Sequence, residues 1–115
     1  MFSHIMVGAN DVAAAKVFYD AVLGTLGHGP GTIDPAGRCF YVTPTGIFSI
    51  SKPINDEPAG HGNGSTIGFV AADPATADQW HAAGIANGGT TCEDLPGVRE
   101  GGSGKMYLAY LRDPS

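Results

Sequence analysis

Two short apolar runs, each followed by a longer amphipathic stretch, organise this chain. Residues 5–7 (IMV) and 67–70 (IGFV) have the length of buried strands. After each run, small and large apolar residues recur at helical spacing: Ala15, Phe18, Val22 and Leu26 in the first case, Ala77, Trp80 and Gly84 in the second. The pattern therefore predicts a strand followed by a helix, twice.

The two halves also align with each other. Residues 3–27 and 65–89 match without a gap, and the shared features keep the same order: strand, acidic cap, helix, glycine stop. Asp11 or Asn10 can cap the first helix, and Asp73 followed by Pro74 is a stronger start signal. Glycines follow both helical stretches, as expected at a helix C-terminus. Gly84 lies inside the second helix, where it costs about 1 kcal/mol relative to alanine, and we interpret it as a point of close packing.

Three further strands are predicted after the first helix, at about 25–33, 38–43 and 46–52. The last two are separated by PTG at 44–46, a hairpin signal. The first half thus forms a βαβββ module, residues 1–54, and a polar linker at 55–64 leads to a second module, residues 65–115. There the predicted strands are at about 90–94 and 105–111, and the chain ends before a counterpart of residues 47–52. We predict one α+β domain of two βαβββ modules, the second lacking its last strand.

Composition excludes several classes of function. The chain has 115 residues, which is enough for one small domain, and a net charge of −5 with only six Lys and Arg residues. A nucleic-acid surface needs clustered basic residues, so we expect no nucleic-acid partner. No apolar run approaches a membrane span and no signal peptide is evident, so we expect no membrane partner and a cytoplasmic protein. Cys39 and Cys92 are expected to be reduced thiols.

The two aligned strand–helix segments and the end of the chain together resemble the vicinal oxygen chelate superfamily. This superfamily includes glyoxalases, extradiol dioxygenases, and bleomycin- and fosfomycin-resistance proteins. The matching pieces are HIMVGANDVAAAKVFYDAVLG, STIGFVAADPATADQWHAAGIANGG and the closing MYLAYLRDPS. The resemblance covers nearly the whole chain but does not specify one activity. It implies paired modules that curl their sheets around a cleft, usually in a homodimer. In metal-dependent members, the cleft holds a divalent ion that chelates vicinal oxygens of the substrate.

The resemblance also implies where metal ligands would lie, on the first and last strand of each module. His4 matches such a position. Ser49 stands where a Glu or His is expected, Thr66 aligns with His4 in the repeat, and the last strand of the second module is missing. A single imidazole does not hold a metal, and neutral hydroxyls do not replace carboxylates. We therefore expect no metal cofactor. The alternatives for His4 are a pocket-lining or hydrogen-bonded strand histidine, a metal-free acid–base group, or a ligand of a divalent metal.

Six residues are the candidates for ligand binding: His4, Ser49, Thr66, Tyr107, Arg99 and Lys52. Strand alternation places the first three toward the cleft, and we assign Tyr107 to the same side. Arg99 and Lys52 could offer positive charge at the cleft mouth for an anionic substrate, or could simply be solvated surface charges.

The sequence thus predicts a small glyoxalase/bleomycin-resistance-like protein whose cleft binds a small organic molecule without a metal. Two alternatives stay open: a metal-dependent lyase or isomerase of the glyoxalase (lactoylglutathione lyase) type, and a degenerate structural dimer. Whether the chain is an enzyme is left undecided at this point. A C2 homodimer is expected, because an incomplete sheet leaves the apolar run around 106–111 at an edge.

Overall fold

The computed structural model describes residues 1–102 and 104–115, and it confirms an α+β architecture. The elements in chain order are β1 (His4–Gly8), α1 (Val12–Thr25), β2 (Thr32–Ile33), β3 (Cys39–Thr43), β4 (Gly46–Ser51), α2 (Pro74–Ala86), β5 (Thr90–Thr91), β6 (Gly97–Gly101), β7 (Gly104–Leu108) and β8 (Leu111–Arg112). Neither helix within these described residues is long and apolar enough to cross a membrane.

The first five elements form the predicted βαβββ module. Its sheet has the strand order β1-β4-β3-β2, with β1 parallel to β4 and the other neighbours antiparallel. The crossover from β1 to β4 therefore passes through α1, which covers one face of the sheet. That face carries Ile5 and Val7 from β1, Phe48 and Ile50 from β4, and Cys39 and Tyr41 from β3, and these residues form or border the core.

Both helices begin and end where their local signals predict. Asp11 caps α1 by accepting a hydrogen bond from the Ala14 amide at 3.1 Å, and Gly27 follows the helix with a φ of +91°. Asp73 caps α2 by accepting from the Thr76 amide at 2.8 Å. These signals act within one turn, so they do not depend on the rest of the fold.

The two halves pack through their helices and the end of the chain. Phe18 on α1 is buried, and Trp80 on α2 packs against the same core, as the aligned repeat predicts. Gly84 is also buried, and a methyl group there would collide with Leu111 of β8 and lie 3.2 Å from Cε1 of Phe18. The predicted close packing at Gly84 is therefore confirmed.

The second half departs from the prediction at two places. Strand β6 lies between the predicted strands at 90–94 and 105–111, where no strand was predicted. It pairs with β7, while β5 pairs with β8, so the two pairings form one interrupted hairpin. Residues 66–70, expected to be a strand, have no regular secondary structure. In the first half β1 is held by β4, whereas none of the described strands pairs with residues 66–70. Within the described residues, the second half thus has no counterpart of β4.

Candidate functional site

The face of the first sheet opposite α1 is not covered by a helix, and we call it the open face. Because side chains alternate along a strand and register aligns them across strands, its members can be read from the pairing. They are His4, Met6 and Gly8 on β1, Ile47, Ser49 and Ser51 on β4, Phe40 and Val42 on β3 with Arg38 just before it, and Thr32 on β2 with Asp34 just after it. Val42 is 74% exposed and Met6 is 46% exposed, so apolar side chains of this face meet solvent.

A depression of about 260 Å³ lies along β3, between residues 40–44 and the segment 27–32, and residues of the open face form part of its lining. It is lined by Phe40 and Val42 and by Thr32 of the neighbouring strand, together with His28 and Pro30 from the segment that leads into β2. Its size approaches that of small-molecule sites, and its lining combines an aromatic ring, aliphatic groups, a hydroxyl and an imidazole. Such a lining suits a small ligand with an apolar body and few polar groups, which makes the depression the candidate site.

A partly buried carboxylate lies behind this depression and bonds to Tyr41 in its lining. Asp20 on α1 accepts hydrogen bonds from the Gly31 amide at 2.9 Å, the Tyr41 hydroxyl at 2.7 Å and the Lys16 ammonium at 2.6 Å. Burial alone raises the pKa of Asp20, but these three bonds outweigh burial and hold that pKa below its ordinary value. A methyl group at Gly31 would collide with Cys39 and Tyr41, so the segment can approach β3 this closely only with glycine.

An ion pair stands beside the depression. The Asp34 carboxylate accepts from the Arg38 backbone amide at 2.8 Å and from its Nε at 2.8 Å, and Nη2 lies 2.6 Å from Oδ2. The side-chain bond from Arg38 holds the pKa of Asp34 below its ordinary value. The guanidinium carbon lies 5.2 Å from the centroid of the Phe40 ring, which is cation–π distance. Arg38 is thus held in place over one of the residues that line the depression.

The linker closes the end of the open face at Gly8. The Ala59 amide donates to Oδ1 of Asn10 at 2.7 Å, which holds the linker against the start of α1. A methyl group at Gly8 would lie 3.2 Å from Cβ of Ala59, so the linker occupies the space where a side chain would stand. A ligand on this face therefore approaches from the middle or from the opposite end.

His4 and Ser49 lie on the open face as predicted, but only the His4 side chain is accessible to a ligand. His4 is exposed on the edge strand β1, and its Nδ1 lies 2.8 Å from the Ser3 hydroxyl oxygen. Ser49 is fully buried, and its hydroxyl donates to the Ile5 carbonyl at 2.9 Å. The hydroxyl of Ser49 therefore joins two strands of the sheet and does not face a ligand, which corrects the prediction for this residue.

Thr66 and Tyr107 are not on the open face. Thr66 is exposed in the irregular segment 66–70, so the strand that was to place it opposite His4 is not formed. The Tyr107 hydroxyl donates to Oδ1 of Asp78 at 2.6 Å, which puts this side chain on the side of the hairpin that faces α2. The prediction that Tyr107 faces the cleft was wrong. Alternation gives which residues of β7 share a face, but the packing of α2 decides which of the two faces Tyr107 occupies.

The two predicted cations also lie away from the depression. The Arg99 guanidinium donates to the carbonyls of Gly97, Leu108 and Asp94 at 2.7–3.0 Å, so it fastens the hairpin of the second half. Lys52 is exposed and lines a second depression of about 290 Å³ at the end of β4, next to Asp56 and Glu57. A role for either residue in ligand binding stays a prediction.

The donor set does not fit the divalent metal that the fold family implies. The described residues contain no group of three or more His, Cys, Asp or Glu side chains placed to hold one ion. Of the family's ligand positions, His4 alone carries an imidazole, the Ser49 hydroxyl is bonded within the sheet, and Thr66 is a neutral residue in an irregular segment.

Sequence reasoning missed four residues that build the site: His28, Arg38, Phe40 and Val42. The signal for two of them was present, because Phe40 and Val42 alternate with the buried Cys39 and Tyr41 and must face the opposite way. His28 and Arg38 could be found only once the register of β2 on β3 was known.

Comparison with known proteins supports a family assignment. No family model and no curated protein matches the chain. Among solved structures, a glyoxalase/bleomycin resistance protein from Albidiferax ferrireducens T118 is 63% identical over 99% of this chain and 91% of its own, with a TM-score of 0.95. A lactoylglutathione lyase from Agrobacterium tumefaciens is 22% identical over 99% of this chain and 86% of its own, with a TM-score of 0.64. A glyoxalase-related enzyme from Fulvimarina pelagi is 18% identical over 99% and 81%, also with a TM-score of 0.64. The last two share the fold.

Proposed function

Since this chain belongs to the glyoxalase/bleomycin resistance protein family, we propose that it binds a small organic molecule on the open face without using a metal. The observation that carries this proposal is the depression of about 260 Å³ lined by Phe40, Val42, Thr32, Pro30 and His28. Stacking and apolar contact supply binding free energy there, and the hydroxyl and imidazole supply orientation.

The absence of a fitting donor set among the described residues supports binding without a metal. In a metal-dependent member the ion anchors vicinal oxygens, so a chain that offers a single imidazole must hold its ligand by shape and hydrogen bonds instead. His4 is exposed at the edge of the open face, where its imidazole can contact a ligand.

A homodimer belongs to the same proposal. The open face and residues 66–70 expose apolar side chains, including Val42 at 74% and Val70 at 90%. A second copy that covers these surfaces would also enclose the ligand, which an open sheet face cannot do by itself.

The two unpaired thiols, one of them buried, are consistent with the reducing cytoplasm that we assign as the location.

Binding can be tested with a pair of matched substitutions. Val42→Asp places a charge in the depression, and Val17→Asp places the same charge on the exposed surface of α1; both valines are more than half exposed, so both variants should fold. We expect a thermal-shift hit from a panel of planar aromatic compounds and bleomycin to bind wild type and Val17→Asp equally, and Val42→Asp at least about tenfold more weakly. Equal binding to all three proteins would place the ligand elsewhere.

The alternative is a lyase of the lactoylglutathione type, which the His4 position favours. It predicts that added Ni²⁺ or Zn²⁺ binds near one ion per chain and produces turnover of the methylglyoxal–glutathione hemithioacetal. Turnover that depends on metal and on His4 would replace the present proposal.

A further inference from the structure

We propose that the open face selects planar molecules that carry a carboxylate, with Phe40 as the stacking surface and Arg38 as the group that receives the anion. This inference rests on the proposed function, because it names the class of ligand for the same site. Three features carry it: the position of Phe40 in the lining of the depression, the position of Arg38 over its ring, and the way Asp34 holds Arg38.

Phe40 connects the depression with the ion pair. Its side chain lines the depression, and the guanidinium carbon of Arg38 lies 5.2 Å from the centre of its ring. Because Arg38 lies over the ring, a flat ligand packs against the part of Phe40 that lines the depression, with its rim toward Arg38. A carboxylate on the rim of that ligand can reach the guanidinium, whereas the body of the ligand stays against Val42.

Arg38 is ordered before a ligand arrives. Asp34 accepts from Nε at 2.8 Å and lies 2.6 Å from Nη2, so the side chain loses little freedom when it binds a further group. Guanidinium has five N–H donors. Asp34 is the acceptor for the Nε and Nη2 edge, and within the described residues no hydrogen bond occupies Nη1.

The ion pair also limits the charge of the ligand. Asp34 compensates most of the charge of Arg38, and the whole chain carries a net charge of −5, so the site does not attract anions from a distance. One N–H of Nη1 and the remaining N–H of Nη2 are parallel, and this edge matches one carboxylate and does not compensate a phosphate dianion. The expected ligand is therefore a planar aromatic monocarboxylate.

The test compares 2-naphthoate with 2-naphthamide, which have the same ring system and differ in charge. In calorimetric titrations we expect wild type to bind 2-naphthoate at least about tenfold more tightly than the amide. Arg38→Gln should reduce this ratio to near one while the affinity for the amide stays unchanged. Arg112→Gln, which removes the same charge from an exposed residue of β8, should leave the ratio intact. Phe40→Leu should weaken both probes by similar factors.

Melting temperatures establish that each variant is folded. If Arg38→Gln does not fold, Arg38→Lys replaces it in the test. Lysine keeps the charge and loses the planar fork, so the ratio should still fall several-fold. The carboxylate inference would be overturned if wild type bound both probes equally, or if the variants of Arg38 kept the wild-type ratio of affinities. The proposed function would still stand in that case if Val42→Asp abolished binding. If neither probe binds wild type, the inference is wrong, and the wider panel with Val42→Asp decides the proposed function separately.

Discussion

The hydroxyl of Tyr19, on α1, donates a hydrogen bond to Oδ2 of Asp113 across 2.6 Å. This bond joins the core of the first module to the last residues of the chain. Asp113 also accepts from the Ser115 amide at 3.0 Å, and the Ser115 hydroxyl in turn accepts from the Asn10 amide at 3.4 Å. The closing RDPS motif is thus attached to Asn10, just before the cap of α1, and to the middle of that helix.

Tyr19→Phe should destabilise the protein by about 1–2 kcal/mol, because it removes one hydrogen bond from a half-buried carboxylate and leaves the ring packing intact. Chemical denaturation measures this change. Tyr110→Phe, a tyrosine in the second half whose hydroxyl has no hydrogen bond among the described residues, is the control and should change stability little. Equal stability of wild type and Tyr19→Phe would show that the closing motif is held by packing alone.

Asp20 should make stability depend on pH. Its pKa is lowered from the ordinary 3.8, so its contribution is complete above about pH 4 and is lost as the pH falls through its folded-state pKa. Asp20→Asn is therefore expected to cost about 1–2 kcal/mol at pH 7 and less at pH 3. Denaturation at both pH values measures the difference between wild type and variant.

Glu57→Gln is the matched control for Asp20, because it removes a carboxylate from an exposed position in the linker. The free energy of unfolding of Glu57→Gln should differ little from that of wild type at both pH values. If Asp20→Asn lowered the free energy of unfolding by the same amount at pH 7 and pH 3, the ionised state assigned to Asp20 would be contradicted.

Two helical glycines should respond to alanine in opposite directions. At Gly24 on α1 a methyl group meets nothing within 4 Å, so alanine should stabilise the helix by about 0.5–1 kcal/mol. At Gly84 on α2 the same methyl collides with Leu111 and crowds Phe18, so overpacking of about 1–3 kcal/mol should exceed the gain in propensity. Thermal melts of the two variants check the opposite signs; stabilisation by Gly84→Ala would disprove the tight contact.

Features that depend on neighbouring residues along the chain could be predicted from the sequence. The caps at Asp11 and Asp73 and the hairpin around Pro44 are local, and each is present in the structure. The segment at 66–70 has a strand-like composition, but a strand exists only beside a partner, and apolar pattern alone does not reveal whether one is present. Strand β6 was missed for a different reason: its pairing with β7 is local, but the glycines at both of its ends resemble a loop.

The site was predictable to a smaller extent. The resemblance identified His4 and Ser49, and alternation placed both on the correct face, but the hydrogen bond that buries Ser49 involves a neighbouring strand. The position of Arg38 over Phe40 depends on the turn that Asp34 stabilises and on the register of β2 against β3. Sequence pattern gives the face of a residue, whereas register and turn geometry decide which residues of that face meet.

Self-association should be measurable in solution. We expect light scattering at tens of micromolar to give twice the 11.7 kDa of one chain, because residues 66–70 and the open face leave apolar surface that a second copy would cover. Val70→Lys places a charge beside the unpaired segment and should weaken association, whereas Val17→Lys on the outer surface of α1 should not. A monomeric wild type would remove the dimer from the proposed function.

Metal loading tests the donor set directly. A stable site requires three or four protein ligands, and of the family's positions this chain offers the imidazole of His4, a Ser49 hydroxyl already bonded to Ile5, and Thr66. After incubation with Zn²⁺, Ni²⁺ or Mn²⁺ and desalting, elemental analysis should therefore find well below one ion per chain, and His4→Ala should not change that content. His81→Ala, a histidine on α2 whose Nε2 is 3.1 Å from the Thr91 hydroxyl oxygen, controls for surface imidazoles. About one ion per chain, lost in His4→Ala and kept in His81→Ala, would mean that a second copy completes the site, and the ligand would then be held through a metal.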